Sequence, residues 1–127
     1  MRLDHVSLTV SDRARSAAFY GEHFGLTERI HQDERLLILA EPGEGEPGAA
    51  AGAGPLLALS EGPSAADGLP RTNHFGFRAG DGDEVRAARE RFRAAGIEET
   101  EWQDSHGFVR VQVFDPDGYR VELYSLS

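Results

Sequence analysis

Three residues of this chain have the types and spacing to do chemistry together: His5, His74 and Glu122. Each lies in an alternating apolar run that predicts a β-strand: LDHVSLTV at 3–10, TNHFGFR at 72–78 and YRVELY at 119–124. Two imidazoles and one carboxylate projecting from strands make a ligand set that grips a divalent metal and leaves coordination positions open. Everything depends on convergence, because a lone strand histidine is more often structural and a glutamate in a closing strand usually faces solvent. The remaining histidines carry less weight. His23 reads as a solvated helix residue, His31 as exposed beside a hairpin turn, and His106, next to Gly107, as a loop residue.

The elements that must position the three residues repeat. Ser11-Asp12 supplies N-cap chemistry for a helix over 13–24, with Ala14, Ala17, Ala18 and Phe24 on its apolar side and Gly25 as its left-handed stop. Strands at 27–31 and 35–40 follow around a polar Gln32-Asp33-Glu34 turn, and 56–60 is one more strand. The pattern then restarts after His74. Gly80-Asp81-Gly82-Asp83 caps a helix over 83–95 with Val85, Ala88 and Phe92 on one face, stopped by Gly96. Strands at 97–102 and 108–114 lead into the tight turn Asp115-Pro116-Asp117-Gly118, and 119–124 closes the chain. Both halves read β-α-β-β-β, and Phe24-Gly25-Leu26 matches Ala95-Gly96-Ile97, which is an architectural signal in its own right. The Gly- and Pro-rich segment 41–54 reads as a plain loop or as a lid over a cavity mouth, and 61–71 as a polar connection.

At 127 residues the expectation is a single domain, 1–127, built of two modules at about 1–60 and 72–127. Half-domains of that size bury little surface alone and must pack together or pair with another subunit. The formal charge of −9 argues against a nucleic-acid or anionic-membrane surface, which would need clustered Lys and Arg. With no cysteine, disulfides, thiolate nucleophiles and Cys-ligated metals are excluded. A strand pattern directly after Met1-Arg2 and the lack of a long apolar run lead to the expectation of a cytoplasmic protein with no signal segment and no membrane span.

Several segments carry a family resemblance: His5-Val6-Ser7, Ser16-Ala17-Ala18-Phe19-Tyr20, Phe24-Gly25-Leu26, Asn73-His74-Phe75-Gly76-Phe77 and, most specifically, Asp115-Pro116-Asp117-Gly118-Tyr119-Arg120-Val121-Glu122-Leu123. The chain resembles the vicinal oxygen chelate superfamily of glyoxalase I, extradiol dioxygenases, fosfomycin-resistance enzymes and bleomycin-resistance proteins. The resemblance implies an α+β fold in which two βαβββ modules form a curved mixed sheet around a cavity. It implies that His5 and His74 are first-strand metal ligands and Glu122 a last-strand ligand, for Fe, Mn, Zn or Ni. The fourth place of the family falls at Ala58, where no ligand is possible. That loss removes a carboxylate base of glyoxalase-type proton transfer.

Strand alternation puts Ser7 on the face of His5, and Arg120 and Tyr124 on the face of Glu122. Arg110 and Gln112 are expected on the cavity side of their strand, Arg110 holding an anionic group by forked hydrogen bonds. Tyr124 and His106 are candidate proton donors. Ser7, Ala58, Arg110, Gln112 and Tyr124 are the expected substrate-lining residues. The leading expectation is a metal-dependent enzyme gripping a small oxygenated substrate, with dioxygenase-like or group-addition chemistry favoured over glyoxalase chemistry. The alternative is a bleomycin-resistance-like protein that sequesters a drug or natural product without catalysis. A third is a vestigial site in a structural dimer. In short family members modules often pair across a homodimer, so a homodimer is expected, with His5 of one chain joining His74 and Glu122 of the other.

Overall fold

Two aspartates start the two helices. Asp12 accepts the backbone N–H of Arg15 at 3.1 Å to open α1 (Arg13–Phe24), and Asp81 accepts that of Glu84 at 2.9 Å to open α2 (Gly82–Ala94). Each bond satisfies a helix N–H that has no partner within the helix. Both helices are followed by a glycine in the left-handed region, Gly25 at φ 74° and Gly96 at φ 73°. The next residue folds back in each case, the Leu26 N–H reaching the Tyr20 carbonyl and the Ile97 N–H that of Phe92. The two helix boundaries therefore agree with the sequence reading to within a residue.

The computed structural model describes residues 1–43 and 54–127, so most of the 41–54 segment, read as a loop or lid, lies outside the described residues. The chain divides into two units, Met1–Ala65 and Ala66–Ser127. In the first, β1 (His5–Val10), β2 (Glu28–Gln32), β3 (Leu37–Ala40) and β4 (Leu56–Glu61) form a sheet in the order β1-β4-β3-β2. In the second, β5 (Phe75–Arg78), β6 (Glu99–Ser105), β7 (Phe108–Phe114) and β8 (Arg120–Ser125) take the same order, β5-β8-β7-β6. In each unit the first and last strands are parallel and the other pairs antiparallel. The βαβββ repeat read from the sequence is therefore present in both units. No helix among the described residues is long and apolar enough to cross a membrane.

Each sheet has one apolar face. In the second unit Val109, Val111 and Val113 of β7 alternate inward and are buried together with Val121 of β8 and with Val85, Ala88 and Phe92 of α2. Those helix residues stand at i, i+3 and i+7, one stripe of an amphipathic helix. In the first unit Leu37, Leu39, Leu57 and Leu59 of the sheet and Ala17, Tyr20 and Phe24 of α1 are buried. Fully burying a Val, Leu or Phe side chain contributes about 1.5–3 kcal/mol, so these faces anchor the sheets. The opposite face carries Arg110, Gln112, Glu122 and Tyr124 in the second sheet and a mixture with Ser7, Ile38 and Ala58 in the first. His23 departs from its expected solvation. Its side chain is only 9% exposed and its ring lies 5.3 Å from that of Phe19.

β1, β3, β5 and β6 start two or three residues later than their sequence pattern suggests, and for β3 and β5 the reason is that the backbone is committed to a turn. The strand read from Thr72 begins at Phe75, because Asn73 N–H bonds the Pro70 carbonyl and the Thr72 carbonyl accepts from the His74 ring. His74 therefore stands one residue ahead of β5. The strand read from Arg35 begins at Leu37, because the Arg35 and Leu36 N–H groups both donate to Asp33 Oδ1 at 2.8 Å.

The Asp33 turn has a pH signature. The Arg35 N–H above all, then the His31 side chain and the Leu36 N–H, hold the Asp33 carboxyl at about 2, against an ordinary 3.8. A carboxyl depressed on folding stabilises the fold above its unfolded pKa and loses that contribution as pH falls through the folded value. The Arg35 and Leu36 amides should thus keep their exchange protection at pH 5 and lose it between about pH 4 and pH 2. In Asp33→Asn, which binds the same amides without a charge, an NMR titration should show no transition in that window.

Candidate functional site

On β8 the side chains of Val121 and Leu123 go to the helix side and those of Arg120, Glu122 and Tyr124 to the other. Glu122 lies between Gly76 of β5 and Gln112 of β7 in the sheet register. Gly76 makes room for it: a Cβ there would stand 3.2 Å from Glu122 Cβ and 3.6 Å from its Oε2. The Glu122 side chain is 11% exposed, and its two oxygens are used differently. Oε1 accepts from Arg110 Nη1 at 2.8 Å, while Oε2 points toward His74 Nε2 at 3.9 Å.

The tautomer of His74 follows from its partner. A carbonyl can only accept, so the 2.9 Å contact with Thr72 O puts a ring proton on Nδ1, and in the neutral ring the lone pair is then on Nε2. A metal-binding imidazole is oriented in the same way, its second nitrogen donating to a backbone carbonyl. The 3.9 Å gap between Nε2 and Oε2 is too long for a hydrogen bond, and is wider than the roughly 3.0–3.4 Å between adjacent donors of one ion with bonds of about 2.1 Å, so the pair must close by about half an ångström to share a metal. The donor chemistry of this pair fits a divalent ion. Among the described residues, however, no group of three or more His, Asp or Glu side chains stands ready to hold one.

The four other expected site residues of this unit are placed differently. Arg110 is on the face of Glu122 but already engaged, with Gln103 Oε1 at 3.4 Å and Glu101 Oε2 at 3.9 Å besides Glu122. Gln112 is buried, its Oε1 accepting from Thr100 Oγ1 at 2.8 Å. Tyr124 shares the face of Glu122, with its ring 6.5 Å from Phe108. His106 is not brought to this group. It occupies the β6–β7 turn beyond Phe108, which is four positions along β7 from Gln112, or roughly 13 Å at strand rise. There it lines a separate hollow with Arg86 and Asp104, whose two hydrogen bonds of 2.9 Å hold the Asp104 carboxyl below its ordinary range.

In the first unit His5 is the first residue of β1, two-thirds exposed, with Nδ1 2.7 Å from Asp4 Oδ1. Ser7 pairs with Ala58 across β1 and β4, as Gly76 pairs with Glu122 across β5 and β8. Each histidine stands two residues before the first-named partner. The register makes Ala58 the repeat counterpart of Glu122, which is where the sequence comparison put the family's fourth ligand position.

A family profile described as the Glyoxalase/Bleomycin resistance protein/Dioxygenase superfamily matches residues 2–123. The chain belongs to that superfamily. Its fold is similar to that of the fosfomycin resistance protein FosX from Listeria monocytogenes complexed with Mn(II) and 1S,2S-dihydroxypropylphosphonic acid, at 23% identity over 99% of this chain and 90% of that one, with a TM-score of 0.76. A possible glyoxalase from Bacillus cereus gives 23% identity over 97% of both chains and a TM-score of 0.74. Lactoylglutathione lyase from Agrobacterium tumefaciens gives 25% over 97% and 92%, with a TM-score of 0.68. The comparison with curated proteins returns no match. These likenesses establish the vicinal oxygen chelate fold, a scaffold on which many reactions are carried out.

Gly76 and the Thr72 carbonyl were not singled out from the sequence, although a glycine two residues after a candidate ligand in a strand is a signal of close approach. Gly76→Ala should crowd the Glu122 Cβ and backbone oxygen, costing about 1–3 kcal/mol in chemical denaturation. The largest amide shifts should fall at Glu122 and Arg110. A variant of unchanged stability with unshifted Glu122 would contradict this packing.

Proposed function

We propose that the chain is a divalent-metal-dependent enzyme that grips a small oxygenated substrate, with His74 and Glu122 as ligands and His5 as the third. The observation that carries this reading is the His74–Glu122 pair, with one nitrogen lone pair and one carboxylate oxygen turned toward each other across 3.9 Å. Arg110 supports it by holding Oε1, which fixes the carboxylate plane and leaves Oε2 as the donor. When bound, the ion supplies Lewis acidity and a template for two adjacent substrate oxygens. The chain's own residues do the rest. The Thr72 carbonyl keeps the His74 lone pair on Nε2, Gly76 leaves the space for Glu122, and Tyr124 presents a hydroxyl that can give or take a proton on the same face.

Ala58 favours group addition or dioxygenation over glyoxalase-type proton transfer, since the repeat counterpart of Glu122 carries no base. A FosX structure of similar fold holds Mn(II) and a dihydroxypropylphosphonic acid, which makes Mn(II) the first ion to try. A homodimer that draws His5 from the partner chain is part of the same proposal. A second reading, sequestration of a drug without catalysis, is favoured by the Arg110–Glu122 ion pair, which neutralises the carboxylate with no ion present.

Mn(II) titration followed by electron paramagnetic resonance separates the two. The enzyme reading expects one equivalent bound per chain, with affinity falling roughly 100-fold or more in His74→Ala, Glu122→Ala and His5→Ala. Light scattering should give the mass of a dimer. Wild-type protein that binds none of Mn, Fe, Zn or Ni overturns the enzyme reading in favour of sequestration.

A further inference from the structure

Four arginines near the second sheet are paired with carboxylates: Arg71 with Glu101, Arg86 with Asp83 and Asp104, Arg89 with Glu99, Arg110 with Glu122; Arg78 of β5 is exposed to solvent. Arg120 is different. It is half-buried on β8, two residues before Glu122 and on the same face. Its Nε is sealed from solvent without a hydrogen-bond partner, and among the described residues no carboxylate comes within ion-pair distance of its guanidinium. The one directed interaction it makes is with the Phe114 ring, whose centroid lies 5.1 Å from Cζ. A partly desolvated guanidinium with no carboxylate in ion-pair contact is costly, and the cost is relieved by an oxyanion that matches its planar fork.

Beside it lies a hollow of about 510 Å³, lined by Arg120 and Phe114, by Pro116 and Asp117 of the turn, and by Asp67 and Leu69. The stacking on Phe114 fixes the guanidinium plane before a ligand arrives, which lowers the ordering cost of binding. Asp67, Asp115 and Asp117 also line the hollow and add negative charge to it, so it suits a ligand that brings one anionic group rather than a highly charged one.

We propose that Arg120 anchors the substrate through a single oxyanionic group, a carboxylate or a phosphorus oxyacid. The oxygenated, reacting part of the molecule would extend along β8 toward Glu122 and His74, about 7 Å away at strand rise. Arg110, the arginine expected to hold an anion, is engaged by Glu122; Arg120 is half-buried with its Nε sealed from solvent and no carboxylate in ion-pair contact among the described residues. The direction of the reacting end rests on the metal-site reading above, whereas the anion contact does not.

The test is an NMR titration of the full chain, following the arginine Nε–H resonances, with methylphosphonate, inorganic phosphate and acetate as probes. The Arg120 resonance, assigned by its loss in Arg120→Gln, should shift saturably with at least one probe. That probe's affinity should fall at least roughly tenfold in Arg120→Gln and recover in part in Arg120→Lys. Asp67→Asn should tighten binding. Methylphosphonate binding more tightly than acetate assigns the ligand to the phosphorus oxyacids, and the reverse assigns it to the carboxylates. The absence of a saturable Arg120 shift with all three probes overturns the proposal. So does equal affinity in a folded Arg120→Gln. Should that variant fail to fold, the wild-type shift and the Arg120→Lys affinity decide. Mn(II) binding on the same samples keeps the two readings apart. Metal uptake without an anion shift overturns this proposal alone, and an anion shift without metal uptake overturns the enzyme reading alone.

Discussion

The parallel pairing of β5 with β8 is the constraint on which the candidate site depends. Parallel neighbours cannot be joined by a tight turn, so a crossover must lie between them. Here α2, β6 and β7 fill that interval, and the result places the segment after His74 beside the last strand of the unit. Within that pairing the register decides the chemistry. Gly76 opposite Glu122 leaves space where any side chain would press on the Glu122 Cβ, and the carboxylate lies beside His74 as a consequence. A slip of one residue would turn Glu122 to the helix side and bury a charge among Val85, Ala88 and Phe92. The apolar face of β7 and β8 therefore protects the polar face by fixing which residues can occupy it.

The first unit solves the same topological problem and carries a different outcome. Ser7 faces Ala58 where Gly76 faces Glu122, so equivalent register positions carry two small residues in one repeat and a glycine with a carboxylate in the other. The two repeats share what packing requires, the capping aspartates and the stop glycines at Gly25 and Gly96. They do not share the carboxylate, and no packing constraint demands one on the polar face. Helix capping and apolar alternation are shared by every unit of this fold, whereas donor groups answer only to function.

That difference also explains how much was legible in the sequence. The two helices, the repeat and the placement of Glu122, Arg110 and Tyr124 on one sheet face follow from caps and a period of two, both local signals. The starts of β3 and β5 did not follow, because Asp33 and His74 redirect nearby backbone groups through side-chain bonds that periodicity does not encode. His23 was read as solvated from its helix position, yet its ring packs on Phe19, a contact set by the helix spacing of four residues and visible only once the buried side was known. His106 sits in a turn whose distance from Glu122 depends on strand length, so loop membership alone was no guide to proximity.

Arg110 and Arg120, both on the polar face of the second sheet, show why residue type alone did not assign roles. Arg110 has Tyr124 directly across β8 and Glu122 diagonally beside it, and Gln103 lies opposite on β6. Its neighbours are acceptors on both sides, so its charge is answered within the sheet and its effect is to hold Glu122 in one orientation. Arg120 has Phe114 across from it. An aromatic face attracts a guanidinium but accepts no in-plane hydrogen bonds, so the fork of donors keeps its capacity for an oxyanion. The same residue type, on the same face, becomes a positioning group in one register and an open cation in the other, and the cross-strand neighbour decides which.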